Sequence, residues 1–330
     1  LAMFNNRLEF TAEWYKNKSE DLLYSVPVPA QTGVSNTAVT MNAASMENSG
    51  FEFSATYRNR DHAFKYDISA NLSTLKNKVT SLGIGKDSYI AGAYATYVGQ
   101  EIGQFYGWVY EGIARTQADL DNHATQQGVN VGDCLYKDIS GPEGTPDGVI
   151  DAYDQTVLGS GLPKVNFGLS AHMEYKNFDL NISTYGVLNY HVSDDIYNSL
   201  NSCYGPGNKD VAMGDANRFA DDGTYISSVP RTYYTNNATL AWNDLFSSRK
   251  IQNAAYWKIA NVELGYNFPD KWFGGYVSGV RLYVSAQNLY TFTGYHGYNV
   301  DYAGGTFTPG YNFCSFPSAR TFMCGLHFTF

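Results

Sequence analysis

The stretch VNFGLSAHMEYKNFDLNISTYGVL, residues 165–188, decides the fold, because apolar and polar side chains alternate in it on both sides of a short turn. The apolar set is Val165, Phe167, Leu169, Ala171 and Met173 before the turn, and Phe178, Leu180 and Ile182 after it. Successive residues of a strand point to opposite faces of a sheet, so this period of two predicts two antiparallel strands that are apolar on one face. The turn falls at 175–177.

The same alternation occurs in six further stretches, which brings the number of strong strands to eight. Their apolar sets begin at Leu8, Phe51, Phe64, Val262, Val280 and Phe322. No comparable helical stripe competes with them, so the sequence predicts an all-β, antiparallel protein.

The connections between these strands alternate between short and long. Three are short, and the long ones cover about 16–47, 77–163, 191–250 and 293–318. A transmembrane β-barrel has this asymmetry, with short periplasmic turns and long extracellular loops. The pattern therefore favours an outer-membrane barrel segment whose long loops face outside.

The composition agrees with a chain that turns one strand face to lipid. Charged residues make up 16% of the chain, against about 25% in an ordinary soluble domain. The 28 tyrosines and 19 phenylalanines lie largely near strand ends and in the long connections, where bilayer interfaces favour aromatic rings. A net charge of -9 without a basic block argues against a nucleic-acid partner.

Two other classes fit part of this pattern. One is a self-contained eight-stranded outer-membrane barrel with a structural or adhesion role. The other is a soluble β-sandwich that binds glycans, since alternation alone also occurs in sandwiches.

Seven blocks of the chain resemble, in the same order, the SusC/RagA family of TonB-dependent outer-membrane transporters. They are FNNRLEFTAEWYKNKSEDLLYSVPVPAQTG (4–33), ASMENSGFEF (44–53), IGQFYGWVYEGI (102–113), DGVIDAYDQTVLGSGLPKVNFGLSAHMEYKNFDL (147–180), WKIANVELGYNFP (257–269), VRLYVSAQNLYTFTGYHGYNVD (280–301) and ARTFMCGLHFTF (319–330). They are spread along the chain from residue 4 to residue 330.

The resemblance implies that residues 1–330 are the C-terminal part of one receptor, with about eight strands of a 22-stranded barrel, and that the plug domain is absent from this chain. It implies TonB-dependent import of oligosaccharides or oligopeptides across the outer membrane of a Gram-negative bacterium, by a multi-pass protein. The implied partners are a SusD-like surface lipoprotein that acts as a lid, TonB through the missing N-terminal part, the plug and the rest of the barrel, lipid and lipopolysaccharide, and the cargo.

The polar strand faces and the tyrosine-rich connections supply the candidate binding residues. Those predicted to face the lumen are His172, Glu174, Asp179, Glu263, Arg281 and Gln287. Those predicted to contact cargo or a partner are Tyr204, Tyr225, Tyr233, Tyr295, Tyr298 and Tyr302, because tyrosine offers a flat apolar ring and a hydroxyl at low entropic cost.

One acidic segment resembles the second half of an EF-type calcium loop. Asp147, Gly148, Asp151 and Asp154 have the required spacing, and Asp138 could supply a further ligand. The insertion GPEGTP (141–146) interrupts the loop, so the alternative is a solvated turn. No other cofactor is expected. The sequence shows no catalytic motif, and we expect no enzyme activity.

Overall fold

The structure is a computed structural model that describes residues 1–27, 38–83, 85–204, 208–233, 242–272, 277–302 and 304–330. Its strands, in chain order, are β1 Ala2–Met3, β2 Leu8–Pro27, β3 Ala38–Asn59, β4 Phe64–Thr74, β5 Lys76–Leu82, β6 Ser88–Ala91, β7 Tyr94–Tyr97, β8 Gln104–Gly107, β9 Tyr110–Ile113, β10 Cys134–Tyr136, β11 Thr156–Ser160, β12 Val165–Tyr175, β13 Phe178–Leu188, β14 His191–Asp194, β15 Gln252–Asn253, β16 Tyr256–Phe268, β17 Gly279–Thr293, β18 Gly304–Gly305, β19 Thr308–Pro309, β20 Tyr311–Asn312 and β21 Thr321–Thr329.

Helical structure is sparse in these residues. The α-helices are α1 Gln117–Asp121 and α2 Asp195–Leu200, and the 3₁₀ turns are Ala152–Asp154, Val211–Asp215, Ser248–Lys250 and Asp270–Trp272. Within the described ranges, neither α-helix has the length and apolar character needed to cross a membrane.

One large antiparallel sheet organises the chain, in the strand order β1-β2-β3-β4-β12-β13-β16-β17-β21. Eight of these strands are long, which confirms the predicted all-β class and strand number. β5 continues the line of β4 and pairs with the far half of β3. The 11 residues of β12 span about 33 Å, or about 25 Å of height at the ~40° tilt of barrel strands, which matches the apolar band of an outer-membrane barrel.

The register places apolar and polar side chains in separate rows across the sheet. One row runs through Met173, Leu180, Leu264, Val284 and Cys324. Leu264 and Val284 remain 45% and 49% exposed, so the described part of the chain leaves this face largely uncovered. A sheet face of this kind suits contact with lipid, as the sequence predicted.

Aromatic side chains cluster at both ends of the apolar face. Near the short turns, Phe178 contacts Tyr266 with a centroid separation of 4.8 Å, and Tyr266 contacts Phe268 at 5.0 Å. Near the long connections, Trp257 and Phe292 stack at 5.3 Å. The two clusters have the placement of interfacial aromatic girdles.

An irregularity in β16, opposite one in β17, reverses which side chains of β16 face outward. The register shifts between Ile259 and Asn261, and Asn288 has a positive φ of 51°. A one-residue insertion moves every later side chain to the opposite face. Trp257 therefore points to the apolar side, while Lys258 points to the polar side.

The segments between the long strands fold into small sheets of their own. These are β11-β8-β7-β6, β10-β9, β15-β14-β20 and β18-β19. Buried clusters hold them together, such as Cys134, Tyr136 and Ile150, packed against Trp108 and Trp242.

The predicted connection 16–47 is wrong in its bounds. β2 continues to Pro27 and β3 begins at Ala38, and the two pair over most of this length. The alternation of apolar residues stops at Trp14 because the outward face becomes charged there, while main-chain pairing continues. The part 28–37 lies outside the described residues.

Candidate functional site

The polar face of the large sheet carries a connected charge network. Arg281 Nε donates to Asp179 Oδ1 at 3.0 Å, and Arg281 Nη2 donates to Glu263 Oε1 at 2.7 Å. Asn267 Nδ2 donates to the same Asp179 oxygen at 2.9 Å. Gly265 makes room for this arrangement, since a Cβ there would lie 2.5 Å from both Arg281 and Asp179.

A second polar group continues the network on the neighbouring strands. His172 Nδ1 lies 2.7 Å from Asn181 Oδ1, and its Nε2 lies 3.0 Å from Glu174 Oε1. Lys65 Nζ is 3.8 Å from the other oxygen of Glu174. The structure thus brings five predicted lumen residues, His172, Glu174, Asp179, Glu263 and Arg281, onto one face.

Towards the long connections, the same face becomes small and neutral. One row consists of Ser69, Ser170, Ser183, Asn261 and Gln287. Gln287, the remaining lumen candidate, is exposed in this neutral row. A face with short uncharged side chains leaves space above it and offers hydrogen bonds without fixed charge.

Lys258 marks the far end of this face and was missed by the sequence analysis. It is only 4% exposed, and its Nζ lies 2.6 Å from Asp301 Oδ2 in the last long segment. Tyr185 donates its hydroxyl to the other oxygen of Asp301 at 3.1 Å. A strict period of two places Lys258 on the apolar face. Only the irregularity in β16 shows that its side chain lies on the polar face.

The six tyrosine candidates divide into buried and accessible residues. Tyr225 and Tyr295 are 1% and 6% exposed, so the prediction that they contact cargo is wrong for this structure. The hydroxyl of Tyr225 donates to the Val229 carbonyl at 2.7 Å. Both rings pack inside the long segments, where they stabilise the segments themselves.

The other four tyrosines retain some accessible surface. Tyr298 is the most exposed, at 64%. The rings of Tyr204 and Tyr233 contact each other at 5.6 Å, and Tyr302 is half-buried with its carbonyl accepting the Tyr190 hydroxyl. Contact of these four with cargo or a partner stays a prediction.

A buried carboxylate, Asp133, joins two long segments that are distant in sequence. Arg231 donates from Nε and Nη2 to its two oxygens at 3.0 and 2.8 Å, and Asn243 Nδ2 donates to Oδ1 at 2.8 Å. Asp133 is 2% exposed and Asn243 is 1% exposed. Sequence reasoning missed this centre because nothing local to Asp133 indicates partners about 100 residues away.

A second buried carboxylate, Asp194, joins the segments on either side of β16 and β17. It accepts from the Tyr295 hydroxyl and from Asn312 Nδ2, and it caps α2 by accepting from the Tyr197 main-chain nitrogen at 2.9 Å. Burial raises the pKa of Tyr295, so its hydroxyl remains a donor.

The acidic segment uses its carboxylates to accept main-chain hydrogen bonds. Asp154 is fully buried and accepts from the nitrogens of Ile139, Ser140 and Asp151 at 2.8–3.1 Å. Gly148 donates to Asp138 at 2.6 Å, and Val149 donates to Asp147 at 3.0 Å. Among the described residues, no group of three or more His, Cys, Asp or Glu side chains could hold a metal ion.

The four predicted calcium ligands, Asp138, Asp147, Asp151 and Asp154, are therefore not assembled into a ligand set in this structure. Two of the hydrogen bonds that Asp154 accepts tie Ile139 and Ser140 to the 3₁₀ turn at 152–154, and the third, from Asp151, caps the turn itself. Calcium binding stays a prediction.

The four cysteines are unpaired. Burial raises the pKa of the Cys134 thiol and of the Cys203 thiol to about 12 each, which keeps both protonated at neutral pH. Cys314 and Cys324 are exposed.

The chain is similar to known proteins over its whole length. The whole chain is 31% identical to TonB-dependent receptor P3 of Formosa agariphila, over 33% of that receptor. It is 27% identical to TonB-dependent receptor SusC of Bacteroides thetaiotaomicron, over 31% of that receptor. The chain is thus a homologue of TonB-dependent receptors that include SusC.

The fold agrees with that of a SusC/RagA-family protein. A solved structure of the RagAB peptide transporter matches 98% of the chain with a TM-score of 0.77 and 21% sequence identity, over 33% of the matched chain. A second solved structure, of the RagAB peptide importer in the open-open state, matches the chain with a TM-score of 0.76. No protein-family model matches the chain.

The chain spans about a third of the length of the SusC/RagA-family relatives it matches. These relatives are named as receptors, and the matched structure as a transporter. We call the face with the charge network the inner wall and the apolar face the outer wall, and their contact with lumen and lipid stays a prediction.

Proposed function

We propose that the chain forms part of a TonB-dependent importer in the outer membrane of a Gram-negative bacterium, which it crosses many times, and that the importer carries oligosaccharides or oligopeptides. The observation that supports this most is the division of the long strands into two faces. One is an apolar face, on which the charged residues of β2 and β3 lie only beyond Trp14 and Phe51, and the other is a polar face with the Arg281–Asp179–Glu263 network.

The partners follow from the same proposal. A SusD-like lipoprotein covers the long segments and delivers cargo, and TonB acts through a plug that other parts of the receptor supply. Tyr298 and the Tyr204–Tyr233 pair are the accessible aromatic groups for contact with lid or cargo. The names of the relatives are in keeping with a role other than catalysis.

The two alternative classes are less well supported. In the described residues, β1 and β21 lie at opposite ends of the sheet order and do not pair, so the eight long strands do not close a barrel by themselves. A soluble sandwich would cover its apolar strand face, yet Val284, Leu264 and Phe322 are 45–69% exposed.

Cysteine labelling tests the assignment of the two faces. In a full-length receptor carrying Cys314→Ser and Cys324→Ser and reconstituted in a bilayer, we expect Ser285→Cys and Asn181→Cys to react with a water-soluble maleimide once removal of the proposed plug opens the lumen to water. The neighbouring Val284→Cys and Leu180→Cys should react in detergent but be protected by a bilayer. Equal protection of both sets by lipid would contradict the assignment.

Uptake in cells tests the transport proposal. We expect cells that lack this receptor to lose uptake of one labelled class of oligomer, either peptide or glycan, and cells that lack TonB to lose the same uptake. Replacing Gln287 with lysine should lower uptake several-fold, because it puts a charge into the neutral row, while Ala286→Ser on the outer wall should have little effect. If cells without the receptor and cells without TonB take up both oligomer classes as well as unchanged cells do, the proposal that this receptor imports them is refuted.

A further inference from the structure

Four lysines form a square on the outer wall, on β2 and β5, with β3 between them. The register pairs Lys16 with Ser49 and Ser49 with Lys76, and one step further pairs Lys18 with Glu47 and Glu47 with Lys78. Neighbouring strands are ~4.8 Å apart and alternate residues ~6.8 Å apart, so the four lysine Cβ atoms fall within a patch of about 10 by 7 Å. We call Lys16, Lys18, Lys76 and Lys78 the lysine square.

The lysine square lies on the same face as the membrane-type apolar residues. Ala12, Trp14, Lys16 and Lys18 follow one another at a spacing of two along β2, and Phe53, Phe51, Ser49 and Glu47 do so along β3. Trp14 and Phe51 are 61% and 51% exposed. On the opposite face at this height, Ala44, Val79 and Leu82 form a buried cluster, so the lysines point away from the protein.

These lysines are the first charged side chains above the aromatic girdle on this part of the outer wall. At a barrel tilt of ~40°, the two rows lie about 5 and 10 Å above Trp14. The headgroup layer occupies about 5–8 Å on each side of the hydrocarbon core. Lysine side chains are long enough to direct their ammonium groups into that layer.

The local charge differs in sign from the chain as a whole, which carries -9. Lys16 Nζ lies 3.0 Å from Glu47 Oε2, and Lys18 pairs with Glu20. Lys76 and Lys78 are exposed, and neither has a salt bridge to a described residue. Four ammonium groups against two carboxylates leave an excess of positive charge beside the bilayer.

We propose that the lysine square binds the phosphorylated headgroup of a lipopolysaccharide molecule in the outer leaflet. Two ammonium groups that form no salt bridge within the described ranges lie just above exposed aromatic rings, and this fits a ligand with phosphate groups above acyl chains. The ligand's acyl chains would lie on Trp14, Phe51 and Phe53. This site rests on the proposed outer-membrane location and adds a specific lipid to it.

Titration of the full-length receptor in detergent with lipid A, followed by native mass spectrometry, tests the site. We expect one tightly bound bisphosphorylated lipid A, and at least tenfold weaker binding of the same lipid after its phosphates are removed. Lys76→Gln with Lys78→Gln should weaken binding of the phosphorylated lipid about tenfold or more. The matched control, Lys86→Gln with Lys137→Gln, removes the same charge from exposed positions elsewhere and should bind like the unchanged receptor.

Three results would overturn the lysine square as a lipid site. These are equal binding by the Lys76/Lys78 variant and the unchanged receptor, equal binding of phosphorylated and dephosphorylated lipid, and displacement by millimolar inorganic phosphate. Insertion of both variants into phosphatidylcholine liposomes is measured in parallel. A receptor that does not insert contradicts the proposed membrane function, whereas one that inserts without phosphate selectivity contradicts only this inference.

Discussion

Replacing Asp133 with alanine is expected to separate the segment that contains β9 and β10 from the segment that contains Arg231 and Asn243. The substitution removes the acceptor of three side-chain hydrogen bonds, two from Arg231 and one from Asn243. It leaves a partly buried guanidinium and a buried amide without that partner. Breaking a pair of this kind costs about 3 kcal/mol, since the remaining polar groups lose both water and partner.

Hydrogen exchange and thiol labelling measure this local opening without requiring the barrel to unfold. Cys134 donates its main-chain N–H to Asn243 Oδ1 at 2.7 Å, and its thiol is fully buried. A loss of about 3 kcal/mol corresponds to roughly 100-fold faster exchange of that amide and faster modification of the Cys134 thiol. Asp133→Asn should give an intermediate effect, because it keeps one acceptor oxygen and loses the charge.

Asp222→Ala is the control for the Asp133 substitution. Asp222 is exposed, and its Oδ1 accepts the main-chain N–H of Thr224 at 2.9 Å. We expect no change in exchange at Cys134 from this variant. If Asp133→Ala also leaves the Cys134 amide and thiol protected, the carboxylate does not hold the two segments together.

The sequence was sufficient to predict the long strands and their two faces, since both follow from local alternation. Residues 165–188 show this clearly: each apolar residue in the quoted stretch from Phe167 to Ile182 faces outward in the register. The placement of Asp179, Glu263 and Arg281 on one polar face follows from the same period, although the period does not reveal that the three side chains bond to one another.

The sequence did not predict the position of residues that depart from strict alternation or that lie in the long segments. Lys258 was not identified because one extra residue in β16 reverses the faces, and a single sequence gives no local sign of that insertion. Tyr225 and Tyr295 were assigned to surfaces because their segments are long and polar. Their burial depends on contacts with residues such as Arg115 and Asp194, which are 110 and 101 positions away.

The long segments are also where stability depends on close main-chain approach, and Gly310 is the clearest case. It has a φ of +74°, and a Cβ there would lie 2.5 Å from the His191 carbonyl oxygen, 2.8 Å from the Gly161 Cα and 3.0 Å from the Phe105 ring. Its own carbonyl accepts the Ser193 N–H at 2.9 Å, which begins the pairing of β14 with β20.

Gly310→Ala should therefore open the contact between the last long segment and β14. The left-handed backbone costs a non-glycine residue about 1–2 kcal/mol, and overpacking against main chain adds about 1–3 kcal/mol. We expect exchange of the Ser193 amide to rise by about 30-fold or more, at about 2–5 kcal/mol in total.

Gly223→Ala separates the two contributions to that effect. Gly223 has a φ of +83°, but a Cβ there would meet nothing within 4 Å, so only the backbone cost remains. Gly214→Ala, with open space and no positive φ, should cost nothing measurable. The cost of each substitution is judged by hydrogen exchange of the neighbouring amides. If Gly310→Ala costs no more than Gly223→Ala, the close approach of Gly310 to His191 and Gly161 does not hold the last long segment in place. A larger cost at Gly310 locates the constraint in that crossing, because the two glycines share the same backbone conformation and differ only in what surrounds them.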